Sequence, residues 1–77
     1  MANDTDTRIN ENTMDKDYDL ISVLYHALQA ADTCARYRQD AETEGSQEVA
    51  GFMREVEQQN KQIAQQAKTL LMKQKQV

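Results

Sequence analysis

From Leu20 onward the apolar residues recur at helical rather than alternating spacing. Placed 100° apart, Leu20, Val23, Leu24, Ala27, Leu28, Ala30, Ala31, Cys34, Ala35 and Ala41 gather on one face, while Ser22, Gln29, Arg36 and Asp40 fall opposite. This pattern predicts an amphipathic helix over about residues 15–43, entered through the acids Asp15, Asp17 and Asp19, which suit a helix N-terminus. Alanine rather than leucine lines the middle of the stripe, so a neighbouring helix can approach closely or a cavity remains. Arg38 and Glu42 sit at the stripe's centre near its C-terminal end, a place for a polar end-layer rather than a dry core.

Gly45 suits the left-handed position that ends a helix, and Ser46 suits the cap of the next one. A turn at 44–46 is therefore expected, followed by a second helix over about 47–75. Its stripe is Val49, Phe52, Met53, Val56, Ile63, Ala64, Ala67, Leu70 and Leu71, with the amide of Asn60 set among them. So short a link makes the two helices antiparallel neighbours. Residues 1–13 have no apolar period and read as a disordered acidic tail, leaving 14–77 as the helical hairpin.

Each stripe is too wide for one partner helix to cover, and chains of 77 residues seldom build an adequate core alone. The fold expected is all-α: a two-helix hairpin that dimerises into a four-helix bundle with two-fold symmetry. The residues expected to pack the core and the dimer contact are Leu20, Leu24, Leu28, Ala31, Val56, Asn60, Ile63, Ala67 and Leu70. No clean heptad flanked by charges stands out, so a globular bundle is expected in preference to an extended coiled coil.

Charge is unevenly spread. Residues 1–45 carry ten acids against four bases, and residues 46–77 carry three acids against five bases, within a net charge of −4. The chain lacks the basic footprint of a nucleic-acid binder, so no nucleic-acid partner is expected. In the hairpin, the acidic start of the first helix comes to lie beside the lysine-rich end of the second. No apolar run reaches the ~18–20 residues needed to span a bilayer, and the polar first residues lack the apolar core of a secretory signal. With a single cysteine, Cys34, an intrachain disulfide framework is excluded. A cytoplasmic protein without a membrane partner is the expectation.

The segment YHALQAADTCARYRQDAETEGSQEVAGFMREVEQQNKQIAQQAKTLL, residues 25–71, resembles the first helical hairpin of the ferritin-like superfamily, rubrerythrin in particular. The likeness lies in an Ala-rich first helix, the ARYRQDA segment, a Gly-terminated turn and EVAGFMREVEQQN opening the second helix. Such proteins often hold two iron ions with a Glu from one helix and a Glu-x-x-His from the next. Anchored on Gly45, the resemblance places the first Glu near Ala27, the second at Asn60 and the His at Ile63, and none of these is a good ligand. A register shifted by three gives Glu57-Gln58-Gln59-Asn60, in which the His is again replaced. The resemblance thus implies the fold and argues against the usual di-iron chemistry. Asn60 then stands where relatives keep a metal carboxylate, free to pair with its symmetry mate, Gln59 or a water, and to fix helix register.

His26 is the sole histidine and falls on the flank of the first helix. A metal site would need it to meet Asp32, Glu55 or Glu57 from a facing helix, and no carboxylate stands three or four residues from it. Cys34 faces the stripe and reads as a small hydrophobe. Tyr25 and Tyr37 flank the stripe as edge seals, while Phe52, Met53 and Met72 read as core or edge filling. No nucleophilic triad or Gly-rich phosphate loop is present, so no enzyme and no cofactor are expected. Three readings remain: a non-catalytic ferritin-like dimerisation or scaffold module, with or without a further protein partner; an iron-binding or oxidative-stress protein whose site spans the dimer; and a helical peptide that folds on a membrane surface or a partner.

Overall fold

The computed structural model describes residues 15–74. The acidic stretch 1–13 lies outside the described residues. Two helices of 28 residues each, α1 (Lys16–Thr43) and α2 (Gln47–Gln74), pack against one another. Among the described residues there is no strand, and no helix is long and apolar enough to cross a membrane.

The ends of the helices are written in local chemistry. Asp15 is the N-cap of α1: its Oδ1 accepts from the backbone N–H groups of Asp17 and Tyr18, both at 3.1 Å. These are two of the donors that a helix start leaves without partners. At the other end Ser46 N donates to Ala41 O at 2.9 Å and Gly45 N donates to Glu42 O at 3.1 Å. That paired bonding is the Schellman motif, and it requires a left-handed residue, here Gly45 at φ 83°. Ser46 also starts α2, its Oγ accepting from Val49 N at 3.3 Å. One serine therefore closes one helix and opens the next, which turns the chain back within three residues.

Between the helices runs a seam of buried and half-buried residues. On α1 they are Leu20, Leu24, Ala27, Ala31, Cys34, Arg38 and Ala41; on α2 they are Ala50, Met53, Glu57, Asn60, Ala64, Ala67 and Leu71. Both rows step by four and three without a break, the spacing of a heptad seam. Apolarity alone hides the repeat, because Arg38, Glu57 and Asn60 occupy seam positions and alanine contributes little hydrophobic signal. The fully buried apolar side chains among the described residues are all alanines: Ala27, Ala31, Ala41, Ala50, Ala64 and Ala67. No large side chain is fully buried. Small residues on both sides let the helix axes approach to the short end of the usual ~8–10 Å range.

The residues expected to pack the core and dimer contact divide into three sets. Leu20, Leu24, Ala31, Asn60 and Ala67 lie on the seam. Val56 is half-buried beside it, while Ile63 and Leu70 are each 44% exposed. Leu28 is 54% exposed, so it is not a core residue of the hairpin. The seam passes through Ala27, and the next residue is turned 100° away from it.

Candidate functional site

The hairpin has two flanks of opposite character. One consists of the residues that immediately precede every second seam position. On α1 these are Val23, Ala30 and Tyr37, and on α2 they are Val49, Val56, Ile63 and Leu70. A shallow groove of about 380 Å³ brings Val23 and Ala30 together with Asn60 and Ile63. A second hollow, nearer the turn, brings Tyr37 together with Val49. Five of these side chains, Val23, Tyr37, Val49, Ile63 and Leu70, are exposed although large and apolar. Phe52, at the edge of the same side, is exposed as well.

The opposite flank consists of the residues that follow the intervening seam positions. On α2 these are Arg54, Lys61 and Lys68, and on α1 they are Ile21, Leu28, Ala35 and Glu42. Here an alternating chain of charges links the helices. Lys61 Nζ stands 3.1 Å from Glu57 Oε2, and Glu57 Oε1 stands 3.5 Å from Arg38 Nε. Arg38 Nη1 is 3.6 Å from Glu42 Oε2, which is 3.5 Å from Arg54 Nη2. Three cations thus alternate with two carboxylates. The chain crosses between helices twice, at Arg38–Glu57 and at Glu42–Arg54.

Glu57 is the buried charged residue of the seam. The Lys61 ammonium hydrogen-bonded to it holds its carboxyl below the ordinary carboxylate range; burial opposes that effect, and the Arg38 charge assists it. Arg38 Nε is buried and lacks a hydrogen-bond partner, although Glu57 Oε1 is 3.5 Å away. The contact is therefore Coulombic rather than an aligned hydrogen bond. Sequence reading placed Glu57 among possible metal ligands and missed its place on the seam. The signal for that place was the spacing Ala50, Met53, Glu57, Asn60, Ala64.

The metal-ligand candidates do not converge. His26 is exposed, and its Nδ1–H donates to Ser22 O at 2.8 Å within its own helix. Asp32 is exposed and accepts from Arg36 Nη1 at 2.7 Å. Glu55 is exposed on α2, and Glu57 is engaged in the charge chain. Among the described residues no group of three or more His, Cys, Asp or Glu side chains could hold a metal ion. Cys34 is a half-buried free thiol on the seam.

Asn60 is half-buried, and its Nδ2 donates to Val56 O at 2.9 Å, one turn back on the same helix. Its amide donor is thus satisfied within the chain, not by Gln59, which is exposed. The side chain lines the apolar groove beside Ala27 and Ile63. These are the three positions at which the ferritin-like resemblance would set iron ligands.

The chain matches no family model, no curated protein and no solved structure.

Proposed function

We propose that this chain is a non-catalytic helical association module that works as a homodimer, two hairpins forming one four-helix bundle of ferritin-like character without its iron centre. A single observation carries this reading. Among the described residues the buried apolar side chains are alanines alone, while larger apolar side chains stay open, in rows on both helices of one flank. Burying a large aliphatic side chain contributes about 1.5–3 kcal/mol, against roughly one methyl's worth for alanine. The stronger apolar contribution is therefore the one a single hairpin leaves unused.

The replacement of iron ligands supports the non-catalytic part of the proposal. Ala27, Asn60 and Ile63 supply no carboxylate to the groove that they share, and the His26 imidazole that also lines it is bonded to Ser22 O of its own helix.

Sedimentation equilibrium combined with thermal melting tests the proposal. The expected result is a dimer whose melting temperature rises with protein concentration, as linkage requires of coupled folding and association. A cooperatively folded monomer with a concentration-independent melt would defeat it. Elemental analysis of the purified dimer separates it from an iron-binding role. Stoichiometric iron, lost on His26→Ala, would favour that role instead.

A further inference from the structure

Resting on the homodimer reading, we propose that the two hairpins pair through the Val23–Tyr37 and Val49–Leu70 flank about a two-fold axis parallel to the helices, with both turns at the same end. The opposite flank is a poor surface for self-pairing. Its α2 row is Arg54, Lys61 and Lys68, so only its α1 row, Ile21, Leu28 and Ala35, offers apolar side chains, whereas the chosen flank offers them on both helices.

Two hairpins laid face to face on the apolar flank have two symmetric arrangements. In one the turns point apart, and each helix lies antiparallel to its own copy. In the other the turns coincide, and α1 lies against α2 of the second copy. Charge separates the two. Asp19 and Asp40 stand on the rim of α1, eleven and ten residues from Ala30, the middle of its apolar row. Self-pairing of α1 about Ala30 sets Asp19 against Asp40 twice. Lys73 stands on the matching rim of α2. The equal helix lengths and the short turn, with Ala30 and Asn60 lining one hollow and Ala41 and Val49 another, place it near the level of Asp19. With the turns together, each Asp19 meets the second copy's lysine instead.

Shape gives the same answer independently. The α1 row thins at Ala30, whereas the α2 row is bulky throughout, with Val49, Val56, Ile63 and Leu70. Turns apart, alanine faces alanine at the centre of one half of the bundle. Turns together, Val56 and Ile63 of one copy seat over Ala30 of the other. Close packing favours large against small over small against small.

The test is a spin-label distance on Thr43→Cys in a Cys34→Ala background, with the dimer checked by sedimentation. The label sits at the turn end of α1. Turns together predict a separation below about 25 Å, set by the bundle's ~10 Å interaxial spacing and the label arms. Turns apart predict about 40 Å, the length of a 28-residue helix at 1.5 Å per residue. The long distance in a dimer would overturn the arrangement and leave the dimer standing, whereas a monomer throughout would remove both. Ile63→Asp should abolish the dimer while Leu28→Asp preserves it, and the reverse would overturn the choice of flank. Asp19→Lys should weaken the dimer several-fold, and adding Lys73→Asp should restore it. No change with either would also count against the turns-together pairing.

Discussion

Arg38 and Glu57 face one another across the helix seam, the guanidinium Nε 3.5 Å from the carboxylate Oε1, in a seam whose buried apolar side chains are all alanines. An ion pair in such a place stabilises less than its geometry implies, because both charges lose water. Its stronger effect is on alignment. Sliding one helix by seven residues, about two turns, would set Glu57 against Ala31 and Arg38 against Ala50. Arg38→Met alone should lower the melting temperature, since Glu57 then keeps Lys61 as its sole cation. The double variant Arg38→Met with Glu57→Leu should recover most of the loss or exceed it, as buried pairs replaced by apolar residues often do. Circular-dichroism melts of the two singles and the double make the comparison. Strictly additive losses would show that the two residues do not act as a pair.

Acid should weaken the fold through the same residue. The Glu57 carboxyl is held below the ordinary value of 4.5, chiefly by Lys61. A depressed folded-state pKa gives stability that is present above the unfolded value and is lost as pH falls through the folded one. Urea midpoints should therefore hold steady above about pH 5 as far as this group is concerned and fall below about 4.5. Glu57→Gln should flatten that descent. An equally steep acid limb in the variant would assign the effect to other carboxylates.

Ala64 is 4% exposed on the seam, whereas its neighbour Gln65 is exposed. Ala64→Leu should force the helices apart and cost about 1–3 kcal/mol by overpacking. Gln65→Leu should stay within about 0.5 kcal/mol of the parent. Urea unfolding at one fixed protein concentration reads both. A tolerated Ala64→Leu would mean that the helices are not in close contact there.

Gly45 adopts φ +83°, and a Cβ built on it meets nothing within 4 Å. Gly45→Ala is thus penalised by backbone conformation alone, by about 1 kcal/mol. Asn at this position should cost less, because asparagine tolerates the left-handed region. A loss well above about 3 kcal/mol for alanine would point to a contact that this turn does not contain.

Much of the hairpin was legible in the chain because its signals are local. Asp15 caps α1 by reaching its own neighbours, and Gly45 with Ser46 stops one helix and starts another through bonds that span five residues. The position of the seam was less legible. Val49, Val56, Ile63 and Leu70 gave α2 its strongest apolar row, and the hydrophobic pattern set that row toward the partner helix. The structure turns it about one residue aside and gives the interior to alanines, Glu57 and Asn60.

By itself, then, the sequence determined two antiparallel helices, their caps and the turn between them, because helix propensity, capping and left-handed glycine act within a few residues. Only the tertiary structure decided which side of each helix faces the other. That choice depends on how closely two backbones can approach and on whether Glu57 finds both Lys61 and Arg38, and neither condition is visible in one helix alone.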